Sequence, residues 1–167
     1  MRKSLQVLFA VFVVLGLVYV LNFTMLKMPV SDRLSEDERN EVVDLSVRYR
    51  FYMNPNSIAI SLDKCSEVAP VDVLRALLQT AEALQDRKYS RVELHNSYTH
   101  KFSLDGEYFQ QLGEEYDYQN PVYTARTLPE KLREPDGTQA YRSLGGGLSG
   151  LGDQMENFSQ FTLDWCQ

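Results

Sequence analysis

From Leu5 to Phe23 the chain reads LQVLFAVFVVLGLVYVLNF, with no charge and with its only polar side chains, Gln6 and Asn22, close to the two ends. As a helix this run covers about 28 Å, close to the ~30 Å hydrocarbon core of a bilayer. A helix on the surface of a soluble core shows a polar stripe, and this run has none. The expectation is a single membrane-spanning helix with one globular domain beyond it.

Arg2 and Lys3 precede the run, as in the basic segment of a secretory signal. A cleaved signal ends in small residues of the Ala-x-Ala kind. Here the exit reads LNFTMLKM, and the expectation is an uncleaved signal anchor. Residues 1–4 would form a cytoplasmic tail, 5–23 the anchor, 24–41 a charged stalk and 42–167 a soluble domain. Arg2, Lys3 and the terminal amine on one side against Lys27 and Arg33 near the other give only a slight positive-inside bias, and a signal anchor usually leaves so short a tail in the cytoplasm. The domain then lies outside the cytoplasm, in the periplasm of a Gram-negative cell. Cys65 and Cys166 are the two thiols. In an oxidising compartment they would close a loop of about 100 residues, worth roughly 4–5 kcal/mol by chain entropy. The alternative is two unpaired thiols.

The formal net charge is −6, and more negative once Arg2 and Lys3 are set aside. Nucleic acid is therefore not an expected partner, because binding it rests on clustered Lys and Arg. The acidic balance fits plain solubility, or a protein partner of basic charge. With 44% hydrophobic residues the region after the anchor has the means to bury a core.

Ser35 and Glu38 have capping-box spacing, which predicts a short helix start in the stalk. Val43, Leu45, Val47, Tyr49, Phe51 and Met53 alternate with Asp44, Ser46, Arg48 and Arg50, a strand pattern. Asn54-Pro55-Asn56-Ser57 predicts the turn of a hairpin, and Ile58, Ile60 and Leu62 its second strand. After Ala69-Pro70, the residues Val73, Leu74, Leu77, Leu78, Ala81 and Leu84 form one helical stripe. Residues 91–96 and 100–104 read as a second hairpin. A helix carrying Tyr108, Phe109, Leu112 and Tyr116 follows, with Gly113 as a weak point. Residues 119–142, with three prolines, are expected as loop, and a last helix runs from about Asp153. The fold class is α+β, with helices covering a small antiparallel sheet behind an N-terminal transmembrane helix.

Ser143 to Gly152, SLGGGLSGLG, is the densest glycine segment. Gly145, Gly146 and Gly147 ahead of a helix could receive an anion on bare backbone N–H groups. The lysine of a P-loop is missing, however, and the nucleophile elbow G-x-S-x-G fails because Leu151, not glycine, stands two residues after Ser149. His95 and His100 fall on opposite strand parity, so a metal site shared with Glu93 would need the turn to unite them. Asp105, Glu107, Glu114, Glu115 and Asp117 interleave with Tyr108, Tyr116 and Tyr118, the residue types of a sugar cleft. Asp105, Glu107 and Tyr108 are candidate ligand contacts there. No cofactor is implied. The expected function is a membrane-tethered interaction module of the cell envelope: an adaptor, an assembly subunit or an immunity-type binder. The alternative is an envelope glycan binder or hydrolase using residues 105–117.

Overall fold

The computed structural model describes residues 2–64, 68–142 and 148–167. A continuous helix from Lys3 to Ser35 opens the chain, 33 residues long and apolar enough to cross a membrane. It comprises α1 (Arg2–Asn22), a π-helical stretch (Phe23–Lys27) and α2 (Met28–Ser35). At 1.5 Å per residue its length is about 50 Å, some 20 Å more than a bilayer core needs.

That excess is not a stalk. Leu26, Val30 and Leu34 recur every fourth residue and so share one face of the helix. Leu26 and Val30 are 0% and 2% exposed and belong to the hydrophobic core, with Leu34 packed against it. The charges between them hid this stripe in the sequence. Arg33, one of those charges, places its Nε 2.6 Å from Glu82 Oε2 and lies over the Tyr116 ring. Ser35 does not start a helix; it ends α2, and its Oγ donates to Asp32 O. Asp37 is the cap instead, accepting from Arg39 N ahead of a 3-10 turn over Glu38–Val42. Within that turn Asn40 is buried and donates to Leu34 O and to Gln79 Oε1. Gln79 in turn donates to Asp37 Oδ2 and to Tyr116 OH, both at 3.0 Å. These hydrogen bonds tie residues 34–43 to the domain, while Asn40 Oδ1 is buried without a partner.

The strands are β1 (Asp44–Arg50), β2 (Asn54–Lys64), β3 (Arg91–Asn96) and β4 (Thr99–Asp105), in the spatial order β1-β2-β3-β4. The outer pairs are antiparallel and the central pair is parallel, with Ile58 opposite Val92 and Ile60 opposite Leu94. The sheet is therefore mixed, where an antiparallel one was expected. α3 (Pro70–Ala83) lies between β2 and β3 in the chain, and a helical crossover returns a strand in the same direction. The first turn also moves. Asn54-Pro55-Asn56 is the start of β2, and the chain reverses through Phe51 and Tyr52, whose φ values are 52° and 62°.

α4 (Gly106–Glu114) packs on α3, and Gly113 is where they touch: a Cβ there would sit 2.4 Å from Ala81 O. Close approach, not a break, explains this glycine. The expected loop over 119–142 contains α5 (Pro121–Thr127) and a 3-10 turn (Leu128–Lys131). Asn120 caps α5 by accepting from Val122 N, and Pro121 suits the first helical position, where no N–H is needed. α6 (Leu148–Cys166) starts five residues before Asp153 and seals the apolar side of the sheet with Phe158, Phe161 and Trp165. Trp165 Nε1 donates to His95 O at 2.8 Å.

Leu26→Ala would remove a fully buried side chain from a residue assigned by sequence to a stalk. The expected loss is about 2–4 kcal/mol of domain stability, measured by urea unfolding of the full chain in detergent. Unchanged stability would show that the helix end is not part of the core.

Candidate interaction groove

α3 and the segment from α4 to α5 leave a groove of about 370 Å³ between them. Its floor is apolar, from Leu74, Leu78, Leu112 and Pro121, and Val71 stands at its margin 58% exposed. Arg39, Arg75, Glu115 and Asp117 supply its charge. Both arginines are already matched: Arg39 makes a two-pronged contact with Asp37, and Arg75 pairs with Asp72. Among the described residues no cation lies within ion-pair distance of Glu115 or Asp117. The uncompensated charge of the groove is negative.

Glu115 is also oriented. Its Oε1 accepts from Gln111 at 2.7 Å and its Oε2 from Gln119 at 3.2 Å, and these bonds hold its carboxyl below the usual range. Hydrogen bonds to the charged form favour that form, so Glu115 is a fixed anion. The exposed Tyr118, Val122 and Tyr123 lie in the same α4–α5 segment. An apolar floor with a polar rim is the anatomy of a protein-binding surface.

The structure separates the acids that the sequence groups together. Asp105 is the N-cap of α4, accepting from Glu107 N and Tyr108 N. Together with Tyr108 it borders a different hollow, of about 430 Å³, where Lys131, Arg133 and Glu134 mix the charges. Glu107 and Glu114 are exposed on α4. Burial pushes the Tyr108 hydroxyl up to about 12, against a hydrogen bond with Thr127, and Lys131 lies over its ring. A glycosidase acid needs a raised carboxyl pKa, and Glu115 is shifted the other way. Gly145, Gly146, Gly147 and Cys65 lie outside the described residues. Cys166 is disulfide-bonded.

The histidines do meet, contrary to strand parity. A register shift between Leu94 and His95 sets His95 opposite His100, and their rings stack with centroids 5.2 Å apart. His95 Nε2 lies 3.2 Å from Glu93 Oε2, and Glu93 Oε1 lies 2.7 Å from Arg50 Nε in a buried ion pair. His100 Nε2 faces Phe102 O and Ser103 Oγ. Among the described residues no three His, Cys, Asp or Glu side chains converge as metal ligands. The row belongs to the face of the sheet opposite the apolar residues of β1–β4, which the alternation of Ser46, Arg48 and Arg50 does signal. Glu93 was not legible as buried, because its shelter comes from Arg50 on another strand.

No family model matches the chain, and neither a curated protein nor a solved structure matches it.

Burial holds the His95 imidazolium pKa below its ordinary value; the bond to Glu93 opposes this, and Arg48 and His100 reinforce it. The unfolded chain then binds a proton at about pH 6.5 that the folded chain still refuses, so stability falls as pH drops through that value towards the lower folded one. Chemical denaturation between pH 7.5 and 5 is expected to show this slope, and His95→Asn to flatten it. An equal slope in both proteins would place the proton elsewhere.

Proposed function

We propose that this protein is a membrane-tethered interaction module of the cell envelope, held by residues 5–23 as a signal anchor with its domain on the extracytoplasmic side. The observation that carries this reading is the joint between anchor and domain. Leu26 and Val30 bury the helix end in the core, so the domain and its groove are held at a set height and angle instead of swinging on a linker. A rigid mount suits a protein that presents one surface to a partner at the membrane, as an adaptor, an assembly subunit or an immunity-type binder does.

The groove defines the partner's chemistry. Its apolar floor suits a partner segment with aliphatic or aromatic side chains, and the unmatched Glu115 and Asp117 suit basic residues beside them. The overall charge of −6 adds long-range attraction for a basic partner.

A photoreactive residue in place of exposed Tyr118 is expected to yield a discrete protein adduct in native cells. The same residue at Lys101, on β4, is expected to yield none. Glu115→Lys with Asp117→Lys should abolish the Tyr118 adduct, and raised salt should weaken the complex after extraction. An adduct that survives both reversals would remove the groove from the reading.

Topology is tested separately through Cys166. An impermeant thiol reagent added to intact cells is expected to label the protein only after reduction. Labelling confined to lysed cells would put the domain in the cytoplasm.

A further inference from the structure

We infer that the β1–β2 hairpin tip, Phe51-Tyr52-Met53, is a second membrane contact, lying among the lipids beside the anchor. This rests on the reading that residues 5–23 span the bilayer. Phe51, Tyr52 and Met53 are 72%, 52% and 69% exposed, three consecutive large apolar side chains at the end of a hairpin. Such a tip is a liability in water and an asset at a lipid surface.

Asn22 sets its height. Asn22 is the polar residue at the end of the apolar run, and its side chain clamps the hairpin: Oδ1 accepts from Tyr49 N and Nδ2 donates to Tyr52 O, both at 2.8 Å. The tip is thus tied to the position where the apolar run ends. It also lines a groove of about 630 Å³ whose other wall is the anchor itself, including Val14, Val18 and Tyr19. Val14 lies eight residues before Asn22, about 12 Å further into the bilayer. If the run from Leu5 to Phe23 fills the hydrocarbon core, a tip beside Val14–Tyr19 cannot remain in bulk water.

Two further features suit that position. Backbone groups in lipid need partners, and three of the tip's have them: Tyr52 N donates to Tyr49 O, Met53 N to Arg50 O, and Tyr52 O accepts from Asn22. The charged residues lining the groove, Lys27 and Arg48, are both cationic, although the protein as a whole is acidic. Arg48 lies over the Tyr52 ring and Arg50 over Phe51. Aromatic rings with cationic side chains beside them form the usual pattern of a membrane interface. Phe51 and Tyr52 both take positive φ, a region bulky side chains seldom adopt, and the hairpin holds them there at its exposed end.

The full chain is reconstituted in phosphatidylcholine–phosphatidylglycerol vesicles whose acyl chains are brominated, and tryptophan quenching is read. Wild type supplies the background from Trp165, which is fully buried. Met53→Trp probes the tip, Phe12→Trp the span, and Tyr98→Trp the exposed β3–β4 turn. The inference predicts strong quenching of Met53→Trp and Phe12→Trp, little of Tyr98→Trp, and shielding of Met53→Trp from aqueous iodide. Quenching at Phe12→Trp with none at Met53→Trp would overturn the tip contact while leaving the anchor in place. Quenching at neither would overturn both.

Discussion

The burial of Leu26 and Val30 is the constraint on which the other features of this molecule depend. A helix long and apolar enough to cross a bilayer continues, through a π-helical stretch, into the hydrophobic core of the domain it carries. Asn22 fixes the same helix to the first hairpin through two backbone groups, and Arg33 fixes it to α3 through Glu82. Three contacts along some seventeen ångströms of helix remove the freedom of a hinge. The end of the domain next to the apolar helix is therefore determined by the fold.

The sheet turns one side to the core and keeps charge on the other. Its parallel central pair follows from α3, which is also the helix that receives α2, α4 and the buried amides of the 34–43 segment. Gly113 lets α4 come close to α3 just before α4 ends at Glu114, and the groove lies between α3 and the segment that runs on to α5. On the charged side, Glu93 is held between Arg50 and His95 with little water around it. Arg50 also reaches over Phe51, which links this row to the hairpin tip. Two surfaces result: an apolar tip beside the N-terminal apolar helix and an anionic groove on the helical side.

Much of this architecture was legible in one dimension. The long apolar helix follows from its uncharged run, and the stripe of α3 and strands β1, β3 and β4 follow from hydrophobic periodicity, because each of these buries its face in a way local spacing records. The α+β class follows from their order. Other features were hidden by composition. The charges of residues 27–41 masked Leu26, Val30 and Leu34, three prolines masked α5, and Asn-Pro-Asn suggested a turn where β2 begins. Of the acids between Asp105 and Asp117, spacing gave no sign that one caps a helix while others border a groove formed with α3.

The sequence by itself determined what must leave water: a span of nineteen uncharged residues, and alternating or helical stripes enough for one core. Only the tertiary structure decided where those stripes meet. The clamp from Asn22 to the hairpin and the groove beneath Glu115 join residues distant in the chain, and a register shift within one hairpin stacks His95 on His100. Such contacts depend on which elements pack together and in what register. A local hydrophobic period carries no information about that choice.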